Sequence, residues 1–236
     1  MRTHTQDQLL DLLDEVVAGS ARGDRTRTGA AEFWAELLTR DGHPLATDVP
    51  DETVLDWPAQ KVLGHLTGTR VLDIGCGSGR NSRRFAEQGA SVEGIDISAP
   101  LLDLVHARMP AAVALTEVDV LRDSLPPGPF DVAHDSGCFH HIAPHRRANC
   151  LERMLPLVAP GGVFGIVTFA SEADALTSDA AVTTCGDNSG GSSFALAELR
   201  EIFSRLHPLE GRRVQADVGD AFGADFLNAS LFRSRV

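Results

Sequence analysis

Val71-Leu72-Asp73-Ile74-Gly75-Cys76-Gly77-Ser78-Gly79 is the stretch whose reading decides the fold of this 236-residue chain. A short apolar run leads straight into a turn with glycine at every second position. Without Cβ atoms at the bend, a ligand can lie directly on the main chain. The spacing narrows the choice of ligand. A dinucleotide turn of the G-x-G-x-x-G kind requires glycine at 75, 77 and 80, and position 80 is Arg80. A Walker loop ends in Gly-Lys-Ser/Thr, and the single lysine of the chain is Lys61.

Outward from that turn the chain alternates. Residues 91–96 read as a second strand ending in Asp96, residues 112–115 as a third leading to Asp119-Val120, and residues 130–135 as a fourth. Helices are expected over residues 81–88, over 101–109 (stopped by Pro110) and over 144–158, where Pro144 suits a first helical turn. Pro160-Gly161-Gly162 reads as a turn before a strand at 163–169. Such alternation argues for a mostly parallel sheet with helices on both faces.

The D-x-G-x-G-x-G pattern of Asp73 to Gly79, followed in order by Asp96, Asp119-Val120 and the strand into Asp135, resembles the class I S-adenosylmethionine-dependent methyltransferases. The resemblance covers about residues 69–170 well and the remainder loosely. It implies a Rossmann-like, seven-stranded, mostly parallel sheet with an antiparallel last strand, capped by N-terminal helices. It further implies S-adenosylmethionine as cofactor, held by Asp73, Gly75, Cys76, Gly77, Gly79, Asp96, Ile97, Asp119, Val120, Asp135 and Ser136. In such folds an acid at the position of Asp96 accepts hydrogen bonds from both ribose hydroxyls. A charge-assisted bond of this kind contributes roughly 1.5–3 kcal/mol. Asp119 and the amide of Val120 would hold the adenine edge, and Asp73 would lie near the methionine amine.

Bulk composition agrees with a single large α/β domain, since 43% of the residues are hydrophobic. A net charge of −12 argues against a phosphate backbone as main partner. Arg83-Arg84, Arg146-Arg147 and Arg212-Arg213 read as solvated surface pairs. Cys76, Cys138, Cys150 and Cys185 form no C-x-x-C pair, so neither a zinc site nor a disulfide framework is expected. The first residues have no apolar run suited to a signal peptide, and nothing reaches the length of a membrane span. A soluble cytoplasmic protein is expected, and twenty arginines against one lysine hint at a GC-rich bacterial genome.

Residues 1–66 are expected to form a helical cap on the same domain, and residues 67–236 the core. Leu9, Leu10, Leu12, Leu13, Val16 and Val17 lie at near-helical spacing over 6–17, residues 30–39 read as a second helix and 59–66 as a third. Residues 171–193, rich in Ser, Asp, Thr, Gly and Ala, read as a long flexible loop over the site. Residues 196–206 read as a helix, and 207–214 with 226–233 as an antiparallel pair closing the sheet.

Methyl transfer from a sulfonium is an in-line displacement, so alignment is the main task and can supply roughly 7–11 kcal/mol of the barrier. A hydroxyl or protonated amine acceptor also needs a base. The polar segment from Asp135 to Ile142 begins at the carboxyl end of the fourth strand, where open α/β sheets place ligands. His140 and His141 are therefore the candidate bases, His140 first, the alternative being an imidazole that packs under the loop. A metal at His134, Asp135, His140, His141 and His145 is not expected, because adjacent histidines rarely face one ion. Cys138 reads as a small buried thiol. Trp34 and Trp57 are candidate lid residues, with core packing the simpler role for each.

The signatures of nucleic-acid amino methyltransferases, of 2′-hydroxyl RNA methyltransferases and of the dimerising plant-type enzymes are all missing. The expected activity is methyl transfer to a small-molecule acceptor through O, N or S, in bacterial secondary metabolism, with no nucleic acid or membrane partner. A non-catalytic S-adenosylmethionine-binding module and a nicotinamide-dependent oxidoreductase are the rival readings, and Arg80 speaks against the second.

Overall fold

The structure is a computed structural model and describes residues 5–18, 25–27, 29–59, 63–171, 179–180, 182, 190–216 and 219–235. The expected flexible loop at 171–193 lies largely outside the described residues; at its far end Ser193 already belongs to a strand.

One sheet organises the core. Its strands are β1 (Arg70–Ile74), β2 (Ser91–Asp96), β3 (Val113–Glu117), β4 (Phe130–Ser136), β5 (Val158–Ala170), β6 (Ser193–Phe194), β7 (His207–Arg213) and β8 (Leu227–Arg233). They lie in the order β3-β2-β1-β4-β5-β8-β7, with the short β6 alongside the end of β5. All pairings are parallel except those of β8, which runs antiparallel to both β5 and β7. The sheet is thus the expected one with one short strand added. Strand order reverses between β1 and β4, so the carboxyl ends of β1, β2 and β4 open a crevice there, the place where such sheets bind ligands.

Helices α1 (Gln6–Ala18), α2 (Ala30–Thr39), α3 (Glu52–Ala59), α4 (Arg80–Glu87), α5 (Ala99–His106), α6 (Pro144–Met154) and α7 (Leu196–Ile202) flank the sheet. Two buried clusters hold the layers together. One is centred on Leu72, Ile74, Phe130, Phe164 and Phe203, the other on Val71, Val92, Phe85, Trp57 and Leu231. At roughly 1.5–3 kcal/mol for each large apolar side chain removed from water, these clusters dominate the stabilisation.

Two local expectations are corrected. The third helix is Glu52–Ala59, ahead of the expected 59–66, of which the described residues 63–66 are not helical. Pro58 sits in its last turn and leaves the Val54 carbonyl without an intrahelical donor. The side-chain amide of Gln88 on the neighbouring segment donates to that carbonyl instead, at 3.2 Å. The expected turn at Pro160-Gly161-Gly162 is part of β5: the register slips between Phe130 and Val132, and the extra residues bulge, with Gly161 at φ 76°.

The arginine pairs also depart from a solvated surface. Arg146 and Arg147 are buried. Arg212 bridges Glu52, Asp56 and Glu210, tying α3 to β7. Among the described residues no helix is long and apolar enough to cross a membrane.

Candidate functional site

The glycine turn leaves β1 at Ile74 and enters α4 at Arg80 with Gly75, Gly77 and Gly79 all at positive φ (66°, 54° and 72°). Gly75 has a second reason to be glycine: a Cβ there would stand 2.5 Å from the Cys138 Cβ. The turn is tied to the end of β2. The Gly77 amide donates to Asp96 Oδ2 at 2.9 Å, the Ser98 amide to Asp96 Oδ1 at 2.9 Å, and the Cys76 amide to the Ile95 carbonyl at 3.0 Å. Burial raises the pKa of Asp96, and the amides of Ser98 and Gly77 oppose that rise.

Asp73, next to the end of β1, is buried beneath the same floor. Its Oδ2 accepts from the Ser82 hydroxyl at 2.6 Å, and its Oδ1 lies 3.1 Å from His134 Nδ1. An ionised carboxylate can only accept, so His134 donates there. His134 is the parallel-register partner of Asp73 across β1 and β4, and its ring packs edge-on against Phe85 at 5.3 Å. Sequence reasoning gave His134 no role. The available signal was a histidine in an apolar strand, one strand away from an acid in an apolar strand.

A cavity of about 340 Å³ opens on this floor, within the range of small-molecule sites. Asp73, Gly75, Cys76, Gly77, Asp96, Ile97, Asp119, Val120, Ser136, His140 and His141 all line it, so eleven side chains and turn positions separated by up to 68 residues meet at one place. Asp119 stands at its far end, with Oδ1 accepting from the Leu121 amide and Oδ2 from Arg122 Nη1, both at 2.8 Å.

Two expected contact residues stay outside the cavity. Gly79 is the N-cap of α4 and faces the Met109 side chain. Asp135 is fully buried behind the wall, where its carboxylate accepts from the amides of Cys138 and Phe139 at 3.0 and 3.1 Å. Its role is to shape the 136–139 segment. Burial pushes its pKa up to about 7, against the pull of those two amides.

One wall of the cavity is aromatic, and it reaches the start of α4, where the Arg80 guanidinium stands over the Phe222 ring at 5.0 Å. Trp34 of α2 lines it, with Phe169 at the end of β5 and Phe222 and Phe226 ahead of β8. Trp57, by contrast, is core: it packs on Gly165 of β5, where a Cβ would meet its ring at 2.5 Å. His140 stacks on Phe169 with ring centroids 4.0 Å apart and planes at 21°. Its Nδ1 accepts from the Phe169 amide at 3.3 Å, and its Nε2 lies 3.1 Å from His141 Nε2. Both nitrogens of His140 are therefore engaged within the protein, which counts against the expectation that His140 is the base. Burial lowers the pKa of His140 well below the usual imidazole value; burial and the charge of Arg25 bring His141 to about 3. Among the described residues, no three His, Cys, Asp or Glu side chains come together as a metal site would require.

Helix α1 is fastened to this site by charge. Asp14 of α1 is buried, and burial alone would raise its pKa. Hydrogen bonds and charge from Arg146 and His145 outweigh that and hold it at about 2. Arg146 Nη2 lies 2.5 Å from its Oδ2, His145 Nε2 2.8 Å from its Oδ1, and Arg122 Nη2 2.9 Å from its Oδ2. Arg122 also bonds Asp119, so α1 reaches the far end of the cavity through one guanidinium. Arg80, where a dinucleotide turn would have glycine, pairs instead with Asp51 at 2.6 Å and donates to the Val49 carbonyl.

Residues 71–162 match the family model described as a methyltransferase domain. An uncharacterized methyltransferase of Mycobacterium tuberculosis is 37% identical over 100 residues, covering 42% of this chain and 50% of that one. The chain spans about half the length of that relative. Among solved structures, the 1,6-didemethyltoxoflavin-N1-methyltransferase of Burkholderia thailandensis superposes with a TM-score of 0.63 at 22% identity, covering 100% of this chain and 93% of that one. The N-methyltransferase NodS of Bradyrhizobium japonicum gives 0.63 at 16% identity, covering 88% and 99%. Both were solved with S-adenosylhomocysteine.

Proposed function

Because the chain carries a class I S-adenosylmethionine-dependent methyltransferase domain, we propose that it transfers the methyl group of S-adenosylmethionine to a small molecule held in the same cavity. The observation that carries this reading is the meeting of the open Gly75–Gly77 backbone with the Asp96 carboxylate on one cavity floor. The residues fit the cofactor. Asp96 accepts the Gly77 and Ser98 amides, with the Ile97 amide also favouring its charged form, and a carboxylate has about four acceptor positions, so capacity for a ribose hydroxyl remains. Asp119 and the Val120 amide suit the adenine edge. Asp73, with Ser82 and His134 on its inner side, suits an ammonium group. When bound, S-adenosylmethionine supplies an electrophilic methyl group on a cationic sulfur.

The protein's contribution is placement. The rigid turn fixes the donor end, and the aromatic wall fixes the acceptor in line with it and keeps water away. The 1,6-didemethyltoxoflavin bound in the Burkholderia thailandensis enzyme supports a small, free acceptor, as does the formal charge of −12. A role in bacterial secondary metabolism is part of the proposal and rests on the acceptor being such a metabolite.

Calorimetric titration tests the cofactor assignment. S-adenosylhomocysteine is expected to bind the wild type, NADH is not, and Asp96→Ala is expected to weaken the complex about 10- to 100-fold. Equal affinity in Asp96→Ala would remove the assignment, and preference for NADH would replace it with an oxidoreductase.

A further inference from the structure

The aromatic half of the cavity narrows the acceptor further, on the basis of the methyl-transfer reading above. Trp34, Phe169, Phe222 and Phe226 line that half, with His140 stacked on Phe169 and His141 meeting the Trp34 ring edge-on at 4.8 Å. Offset and edge contacts between rings add about 0.5–1.5 kcal/mol each beyond the area they bury, so such a wall favours a flat guest.

The hydrogen bonds of the two histidines set a polarity. A main-chain N–H only donates, so His140 Nδ1, facing the Phe169 amide, holds a lone pair. The neutral His140 ring then has its proton on Nε2, which points to His141 Nε2. His141 therefore accepts at Nε2 and has its own proton on Nδ1, a buried atom beside Gly191. Both imidazole lone pairs are used inside the protein. Among the described residues, the charges that act on the pair are cationic: Arg25 ahead of α2 and Arg147 on α6, the latter itself bonded to Asp179 and Ser192. Burial and these cations keep both rings neutral.

We infer that the acceptor is a planar aromatic molecule whose receiving atom already has a free lone pair at neutral pH, an aryl or heteroaromatic nitrogen, and that neither histidine takes a proton from it. The acceptor lone pair forms the new bond to the methyl carbon while the carbon–sulfur bond of the donor breaks and its electrons return to sulfur. The positive charge passes from sulfur to the acceptor nitrogen, and no proton moves in the step. A phenol or catechol would have to lose a proton here, and an aliphatic amine would arrive protonated with no lone pair to give.

The test uses S-adenosylhomocysteine-loaded protein titrated with isoquinoline, catechol and piperidine by saturation-transfer NMR, and the same three compounds offered with S-adenosylmethionine. Isoquinoline is expected to bind and to be the one methylated. Phe169→Leu and Trp34→Leu are each expected to weaken isoquinoline by about tenfold while S-adenosylhomocysteine affinity stays within about twofold. Faster turnover of catechol or piperidine, or failure of isoquinoline to bind while S-adenosylhomocysteine does, would overturn the inference. If S-adenosylhomocysteine itself did not bind, the methyl-transfer reading would fall and the acceptor class with it. Nitrogen-15 NMR of labelled histidine checks the relay without any acceptor: His140 protonated on Nε2, and neither ring titrating between about pH 5 and 8. A proton on His140 Nδ1, or a ring that titrates in that range, would contradict it.

Discussion

The floor of the cavity and its aromatic wall are built in different ways. The floor comes from short contiguous pieces, residues 73–77, 95–97 and 118–121, each at the carboxyl end of a parallel strand or just beyond it. Main-chain amides hold two of its carboxylates, Gly77 and Ser98 for Asp96 and Leu121 for Asp119, while the side chains of Ser82 and His134 hold Asp73. The wall is assembled from residues 34, 140–141, 169, 222 and 226, which no local stretch of sequence brings together. Ring packing and a pair of imidazoles hold it in place. A floor fixed by backbone geometry suits a constant ligand, and a wall fixed by side chains suits one that differs between relatives.

The harshest way to break this comparison is at the floor. Gly75→Ala places a Cβ 2.5 Å from the Cys138 Cβ at a φ of 66°. A loss of roughly 2–6 kcal/mol of stability is expected, together with S-adenosylhomocysteine binding. Chemical denaturation and calorimetry would check both, and unchanged affinity would mean that the turn does not form the cofactor seat.

The anchor of α1 comes next. Asp14→Ala leaves Arg146 buried without its main partner and is expected to cost about 3–5 kcal/mol in denaturant unfolding. Cofactor affinity should fall far less, because among the described residues Arg122 alone links that cluster to Asp119.

The two buried acids also give opposite pH dependence. Asp135 has its folded pKa raised to about 7, so its contribution to stability is whole below about pH 4 and lost as pH rises through 7. Asp14 has its folded pKa lowered to about 2, so its contribution is whole above about pH 4 and lost as pH falls through 2. Asp135→Asn, which keeps an oxygen for the Cys138 and Phe139 amides, should gain stability over the wild type by up to about 4 kcal/mol between pH 4 and 8. A constant difference across that range would show that Asp135 is ionised without cost in its pocket. The smallest effect is expected from Arg122→Gln: its guanidinium is partly exposed, and S-adenosylhomocysteine affinity should change no more than about fivefold.

This contrast also explains what the sequence made legible. The glycine turn, Asp96 and Asp119 could be read because each signal is local and its partners are main-chain atoms or close neighbours. The Asp73–His134 pair was hidden because register across two strands separates them by 61 residues. Asp14 looked like one acid among several on an amphipathic helix; its burial depends on Arg146, 132 residues further on. The third helix was misplaced because Pro58 reads as a stop before a helix, whereas Gln88 supplies the donor that lets Pro58 end one. His140 was read from its residue type and position, and the geometry that engages both its nitrogens involves Phe169 on another strand.

Hydrogen-exchange mass spectrometry with and without S-adenosylhomocysteine would test the division of the cavity most directly. Protection concentrated at residues 75–79, 95–98 and 118–121, with little change at 34–38 and 167–169, is the predicted result. Protection centred on the aromatic wall, with the glycine turn exchanging as before, would contradict it.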